Sequence, residues 1–229
     1  MGYIIVIEGT DGSGKRTQTM RLYERLLNEG YDVKVQSFPN YDSMSAGGVK
    51  MYLNGDFGDS DKSLDAYQAS ALYAVDRLCT YNKDLKEFYE NGGIIVFDRY
   101  IESNMLHQAG KIQDRVEVDK YLDWLCNLEY DTFKLPKANK VLFLDVPVEI
   151  SKRLANARED LKNNMQKDIH ESSKDHLTNA YNSSKYVSVK YGWEIIDCVE
   201  NSEMRSIEDI GEEIYNKVIS DIKEVSSES

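Results

Sequence analysis

A glycine-rich segment near the N-terminus has the residue types and spacing best suited to chemistry. It runs from Gly9 to Thr17 with the letters GTDGSGKRT and follows an apolar run. Glycines let successive backbone N–H groups turn inward, and Lys15 adds a full positive charge. The pattern is typical of a loop that binds the phosphates of a nucleoside triphosphate. A glycine-rich turn without a ligand is the alternative.

The residue after the lysine departs from this pattern. The pattern has Ser or Thr there, which places a hydroxyl on Mg²⁺, whereas the chain has Arg16. Adjacent helical residues differ in direction by about 100°, so Thr17 does not simply replace that hydroxyl. The sequence leaves open how Mg²⁺ is held. The residues predicted to bind the nucleoside triphosphate here are Gly9, Asp11, Gly12, Ser13, Gly14, Lys15, Arg16 and Thr17.

The elements that would position this loop alternate between short apolar runs and helical patterns. Runs rich in Ile and Val predict strands over residues 3–7, 33–37, 93–97, 140–146 and 193–197. Helical periodicity predicts helices over residues 15–30, 64–91, 116–128, 147–164, 169–191 and 206–224. The alternation predicts an α/β fold with a doubly wound parallel five-stranded sheet flanked by helices. Ligands of such sheets bind beyond the carboxyl ends of the strands.

Length and composition limit the class of protein. The chain has 229 residues, a net charge of −12 and three cysteines. Without a linker-like tract or a repeat, one domain over residues 1–229 is expected. The acidic charge argues against nucleic-acid and acidic-membrane binding, and no apolar stretch approaches about 20 residues. We expect a cytoplasmic protein in which Cys79, Cys126 and Cys198 are reduced core or near-core thiols.

Polar residues follow the predicted strands at the edge where a ligand would bind. The second strand leads into residues 37–41, and the third leads into Asp98 and Arg99. Asp98 is a candidate for binding Mg²⁺ through water or through the groups that coordinate it, and Arg99 is a candidate for binding a phosphate with its planar fork. The alternative is a local ion pair between these two side chains that closes the strand end.

Several separated segments, in this order along the chain, resemble thymidylate kinases and, more broadly, nucleoside-monophosphate kinases. They are residues 8–15, 38–39, 73–77, 98–104, 135–137, 141–145 and 168–171. The resemblance covers nearly the whole chain. It implies ATP-dependent phosphorylation of dTMP to dTDP with Mg²⁺ as cofactor, and a homodimer built from helices.

The resemblance also implies which residues recognise the base. Tyr73 would stack on thymine, and Arg77 would donate to the carbonyl O4, where the amino group of cytosine would face it donor to donor. Asn104 both donates and accepts, which suits the N3–H edge. Phe38 and Pro39 would form an apolar wall for the 5-methyl group.

The residues alone allow other interpretations of the same side chains. At its helical spacing, Tyr73 is also compatible with an ordinary core residue. Arg77 is compatible with a solvated partner of Asp76 or Asp84, and Asn104 with a turn or cap residue.

The phosphate end of the acceptor has its own candidates. Asp11 would accept from the sugar 3′-hydroxyl or help to hold Mg²⁺ through water, and Arg99 would bind the acceptor phosphate with Ser103 nearby. Tyr41 stands where many relatives carry Arg, so weaker binding of that phosphate is expected. His107 would guard the 2′ side of the sugar or merely pack there.

A mobile lid at about residues 152–170 is expected to complete the catalytic charge, because the phosphate loop lacks the basic residue that one branch of the family carries there. By resemblance, Arg153 would stack on adenine. Arg158 is the predicted transition-state cation, with Lys162 and Lys167 as alternatives. An exposed amphipathic helix is the competing interpretation. The predicted catalytic residues are Asp11, Lys15, Arg99 and Arg158.

Two other functions remain open from the sequence: another nucleotide kinase, above all a deoxynucleoside kinase, and a nucleotide-binding relative without catalysis. A deoxynucleoside kinase needs a carboxylate at the end of the second strand as base for the 5′-hydroxyl, and residues 36–39 contain none, which favours a monophosphate acceptor. Arg16 and Tyr41 leave room for a degenerate relative that binds nucleotide without catalysis.

Overall fold

The structure is a computed structural model that describes residues 1–58, 60, 62–159 and 176–227. Its strands are β1 Tyr3–Glu8, β2 Val33–Ser37, β3 Ile94–Asp98, β4 Lys140–Asp145, β5 Glu194–Asp197, β6 Val199–Glu200 and β7 Glu203–Met204. Its α-helices are α1 Lys15–Asn28, α2 Gly47–Leu53, α3 Ala66–Thr80, α4 Lys86–Glu90, α5 Ile101–His107, α6 Arg115–Cys126, α7 Val148–Glu159, α8 His176–Tyr191 and α9 Ile207–Ser227. Short 3₁₀ turns cover Met44–Ala46 and Ala109–Lys111, and π-helical turns cover Tyr81–Leu85 and Asn127–Thr132.

Strands β1 to β5 form a parallel sheet in the order β2-β3-β1-β4-β5. At its centre, Val6 of β1 is aligned with Phe97 of β3 and Val141 of β4. The short strands β6 and β7 pair with each other as a separate antiparallel ribbon. The predicted parallel five-stranded α/β fold is confirmed, and each strand agrees with its predicted bounds to within one residue.

The central strands β1 and β3 are buried on both faces of the sheet because helices cover each face. Side chains of β1 alternate between two apolar clusters: Ile4 and Val6 pack toward α5, α6 and α8, while Ile5 and Ile7 pack toward α1 and α9. All four are fully buried. Burial of each such side chain contributes about 1.5–3 kcal/mol relative to exposure, which explains the unbroken apolar run in the sequence.

Two helices near the site are absent from the sequence prediction. The seven residues of α5 are all buried, so they show no polar and apolar alternation from which a helix could be inferred. Helix α2 is equally short and begins with two glycines, which are poor helix formers. The helix predicted over residues 64–91 is present as α3, a π-helical turn and α4 in succession. Asp65 and Gln68 form a capping box that starts α3.

The predicted helices on either side of the lid are only partly within the described residues. Helix α7 covers 148–159 of the predicted 147–164, and α8 covers 176–191 of the predicted 169–191. Most of the predicted lid at 152–170 therefore lies outside the described residues.

All three cysteines are free thiols. Cys198 is buried and Cys126 is half-buried, as expected for core and near-core positions, but Cys79 is exposed on α3 and that part of the prediction is wrong. Across the described residues, no helix combines the length and apolar character needed to cross a membrane.

Candidate active site

The turn between β1 and α1 provides backbone donors at the start of a helix. Gly12 and Gly14 have φ of 83° and 87°, a region that side chains disfavour. A Cβ on Gly12 would lie 2.5 Å from the backbone oxygen of Ser151 in α7, so close packing also excludes a side chain there. The first turn of α1 carries no acidic residue, which leaves its partial positive charge available to an anion.

Lys15 is the buried cation of this loop. Its side chain is 7 % exposed, and Nζ donates to the backbone oxygen of Thr10 at 2.9 Å and lies 3.7 Å from Oδ1 of Asp11. Burial lowers the pKa of Lys15, and the positive charge of Arg99 lowers it further. Arg16 is exposed instead, so the residue that replaces the usual hydroxyl lies in solvent.

Arg99 links β3 to the phosphate loop. Its backbone adopts a φ of 69°, an uncommon conformation for a residue with a side chain, and the chain turns there from β3 into α5. The guanidinium donates to Asp11 of the loop, and its Nη1 donates to Ser103 Oγ at 2.8 Å. Nη1 also lies 3.5 Å from Oε1 of the buried Glu8. The arginine thus joins three elements at the carboxyl edge of the sheet.

Asp11 and Arg99 favour each other's ionised state. Burial raises the pKa of Asp11, but Arg99 and Lys15 outweigh that effect and the pKa lies below its usual range. Burial lowers the pKa of Arg99, but Asp11 and Glu8 raise it above its ordinary value. Desolvation raises the pKa of the fully buried Glu8 carboxyl, against the opposing effect of Arg99.

Asp98 lies at the end of β3, where it is 9 % exposed and aligned with Ile7 of β1 and Ser37 of β2. In the described part of the chain Arg99 forms its ion pairs with Asp11 and Glu8, so a local pair between Asp98 and Arg99 is not formed. No group of three His, Cys, Asp or Glu side chains among the described residues could hold a metal ion by itself.

A cavity of about 230 Å³ opens beyond the carboxyl ends of β2 and β3. It brings together every residue that the sequence analysis assigned to the acceptor nucleotide. Its lining is Asp11, Ser37, Phe38, Pro39, Tyr41, Leu53, Tyr73, Arg77, Arg99, Tyr100, Ser103, Asn104, His107, Gln108 and His176.

Arg77 is held by a carboxylate that the sequence analysis did not identify. Its Nε and Nη2 donate to the two carboxylate oxygens of Glu129 at 2.7 Å and 2.5 Å, and Nη1 donates to the backbone oxygen of Tyr100 at 3.3 Å. Arg77 is 1 % exposed, so a solvated pair with Asp76 or Asp84 is not formed. Burial lowers the pKa of Arg77, but Glu129 raises it and keeps the guanidinium charged.

Asn104 and Tyr73 line the same cavity from two different helices. Asn104 lies inside α5 rather than at a turn or cap, it is 3 % exposed, and its amide nitrogen donates to the backbone oxygen of Ser70 at 3.5 Å. Tyr73 of α3 is half-buried, and it both packs against the small apolar cluster around Tyr52 and lines the cavity. Phe38 is buried against the rings of Phe97 and Tyr100.

A histidine pair lies beside Arg99. His107 Nε2 is 2.8 Å from Nη1 of Arg99, and its Nδ1 is 3.2 Å from Nε2 of His176 at the start of α8. The two rings are stacked with centroids 5.3 Å apart. His107 is 9 % exposed, whereas Tyr41, which also lines the cavity, is 50 % exposed.

The predicted lid residues are not brought to the cavity within the described chain. Arg153 of α7 is exposed, and its Nη2 lies 3.4 Å from Glu203 in β7. The backbone of Arg158 belongs to α7, whereas Lys162 and Lys167 fall outside the described residues.

The sequence analysis missed Glu129 and His176 at this site. Glu129 lies 52 positions from Arg77, in a π-helical turn after α6, so no local spacing relates the two residues. His176 lies 69 positions from His107. The one available signal was composition, because the chain has only three histidines.

Comparison with known proteins shows which family this chain is similar to. Residues 7–202 match the sequence model of the family described as thymidylate kinase. The chain is 32 % identical over 160 residues to a probable thymidylate kinase of Thermococcus gammatolerans, covering 69 % of this chain and 72 % of that protein. It is 30 % identical over 158 residues to a probable thymidylate kinase of Pyrococcus abyssi, covering 69 % and 71 %. It is 29 % identical over 149 residues to the thymidylate kinase of Mycobacterium tuberculosis, covering 65 % and 68 %.

Proposed function

The chain belongs to the thymidylate kinase family, and we propose that it transfers the γ-phosphoryl group of ATP to the 5′-phosphate of dTMP, giving dTDP and ADP. The observation that carries the proposal is the composition of one cavity. Arg77 and Asn104, which suit a pyrimidine, line it together with Arg99 and Asp11 beside the phosphate loop. A monophosphate bound by its base therefore lies next to a triphosphate bound by the loop.

The base would be recognised by matching donors and acceptors. Arg77 has only donors, which suit the carbonyl O4 of thymine, and the Asn104 amide suits the N3–H edge. The ring of Tyr73 would stack on the base, and Phe38 and Pro39 would contact the 5-methyl group. Discrimination against cytosine follows because its amino group would leave two donors facing each other in a buried site.

The acceptor phosphate would be bound by Arg99, whose present hydrogen-bond partners a ligand can replace. Arg99 already donates to a carboxylate and a hydroxyl, and a phosphate of dTMP can take the place of those partners. Ser103, Tyr41 and His107 would surround the sugar and phosphate, since all three line the cavity. The sugar 3′-hydroxyl would donate to Asp11.

ATP would bind through the loop residues from Gly9 to Thr17, with Lys15 at its phosphates and Arg153 on the adenine. Mg²⁺ would neutralise phosphate charge when bound. Asp98 and Asp11 fit it as hard oxygen ligands, acting with the nucleotide phosphates and water. Transfer then depends on alignment, and Arg158 of the lid would supply the remaining transition-state charge. A homodimer is also proposed, on the family resemblance alone, and a cytoplasmic location is proposed on the three free cysteines.

The residues that line the cavity also argue against a nucleoside kinase. The lining residues at the end of β2 and directly after it are Ser37, Phe38, Pro39 and Tyr41, and none of them is a carboxylate that could deprotonate a 5′-hydroxyl. This observation favours an acceptor that already carries a phosphate.

A coupled assay of ADP release tests the proposal. We expect Mg²⁺-dependent turnover with dTMP, slower turnover with dCMP and none with thymidine. Lys15→Ala should lower kcat by about 10³-fold, because it removes the buried cation of the loop, whereas the exposed Lys120→Ala is the matched control. Turnover of thymidine in place of dTMP would identify a nucleoside kinase. ATP binding without turnover of any monophosphate would identify a non-catalytic relative.

A further inference from the structure

The buried pair of Arg77 and Glu129 fixes the orientation of the guanidinium as well as neutralising its charge. Two parallel hydrogen bonds join the guanidinium fork to the carboxylate, at 2.7 Å and 2.5 Å. Such a bidentate contact fixes the plane of the guanidinium as well as its position. The two side chains are 1 % and 0 % exposed, so water does not compete for these bonds.

The pairing determines which donors of Arg77 a ligand can use. A guanidinium has five N–H groups. The bonds to Glu129 use one on Nε and one on Nη2, and the bond to the backbone oxygen of Tyr100 uses one on Nη1. Within the described chain this leaves one N–H on each terminal nitrogen. Because Arg77 lines the cavity, these are the donors that a base would meet.

Glu129 acts from outside the cavity. It belongs to the π-helical turn Asn127–Thr132 that follows α6, and it is absent from the described lining of the cavity. Both of its carboxylate oxygens accept from Arg77. Its effect on a ligand must therefore pass through the guanidinium.

We propose that Glu129 is a positioning residue that sets the pyrimidine preference of this cavity by fixing the donors of Arg77. The inference rests on the proposed function, since it concerns the base of the same acceptor. With the guanidinium plane held, two fixed donors can meet a carbonyl oxygen but cannot turn away from an exocyclic amino group. A loosely held arginine would reorient and accept either base.

Glu102 offers a matched comparison. It is also buried, at 3 % exposure, and lies on the neighbouring helix α5, where Tyr130 donates to its Oε1 at 3.3 Å. It forms no hydrogen bond with Arg77 in the described chain. Glu102→Gln therefore repeats the chemistry and burial of Glu129→Gln without altering the guanidinium contact.

The experiment measures kcat and KM for dTMP and dCMP, and KM for ATP, in the parent and three variants. We expect Glu129→Gln to raise KM for dTMP about tenfold and to lower the dTMP:dCMP ratio of kcat/KM about tenfold, since the amide nitrogen of Gln faces an arginine donor. Its KM for ATP and its kcat should change less than threefold. Glu129→Asp keeps the charge and should recover part of the ratio. Glu102→Gln should keep the parent ratio.

Each other outcome would overturn the inference. A folded Glu129→Gln with the parent ratio would show that Arg77 holds its position without the carboxylate. An equal loss of the ratio in Glu102→Gln would indicate general loosening of the interior. Failure of both Glu129 variants to fold would make the pair a requirement of folding instead. A parent without dTMP turnover would instead refute the proposed function, and the role of Glu129 with it.

Discussion

The two arginines of the cavity are held in opposite ways. Arg77 is 1 % exposed and pairs with a carboxylate that is also fully buried. The side chain of Arg99 is 18 % exposed and pairs with Asp11, which is 51 % exposed and belongs to the loop. A fixed donor suits recognition of a base, because it cannot adapt to the wrong one. An exchangeable donor suits a phosphate, because the ligand must replace its partners. Under the proposed function, Arg77 would therefore set the selectivity for the base and Arg99 would bind the phosphate in the same cavity.

The largest expected effect is at the phosphate end. Arg99→Ala should lower kcat/KM for dTMP by about 10²–10³-fold, equivalent to about 3–4 kcal/mol, because a charged donor at the transferring group is lost. Steady-state kinetics at saturating ATP would measure it. Arg115→Ala, an exposed arginine on α6, is the control. A loss below tenfold would show that the phosphate does not depend on Arg99.

A second expected effect tests how dry the interior around Arg77 is. Burial raises the pKa of Glu102 in α5 from 4.5 to about 7. The folded state then binds more protons than the unfolded state between these values, so the carboxyl lowers stability as the pH rises through that window. Glu102→Gln should therefore gain stability over the parent between pH 5 and pH 8, by up to about 3 kcal/mol.

Urea unfolding at both pH values would measure that gain. The exposed Glu87→Gln is the matched control, in which no such pH-dependent gain is expected. If the free energy of unfolding differs from that of the parent equally at pH 5 and pH 8, Glu102 is well solvated. The surroundings of Arg77 would then be less dry than proposed, and would differ less from those of Arg99.

The smallest expected effect is at the base end. Arg77→Ala should reduce the discrimination between dTMP and dCMP by about 1–3 kcal/mol, the scale of one mismatched buried donor. The variant also leaves Glu129 as an unpaired buried charge, so its thermal unfolding should be recorded beside the kinetics. An unchanged dTMP:dCMP ratio in the folded variant would place Arg77 outside base recognition.

The sequence predicted the parts of this account that depend on local patterns. Buried parallel strands produce unbroken apolar runs, and the loop before Lys15 has a fixed spacing. Both the sheet and the phosphate loop could therefore be predicted from the sequence. The fully buried helix α5 gave no periodicity, and the partner of Arg77 lies 52 positions away. Long-range pairing of single charged residues depends on how helices pack, which a linear pattern does not specify. The alternative interpretation, a solvated pair of Arg77 with Asp76 or Asp84, was wrong for this reason.

The most direct test of the separation is the dTMP:dCMP ratio of kcat/KM in the Arg99→Ala variant. If Arg99 acts on the phosphate alone, both substrates carry the same group there and should lose activity equally. We expect the dTMP:dCMP ratio of kcat/KM to stay within twofold of that of the parent, although kcat/KM for each substrate falls by about 10²–10³-fold. If the ratio falls as far as it does in Arg77→Ala, Arg99 also contributes to base recognition. That result would contradict the division of roles between the two arginines.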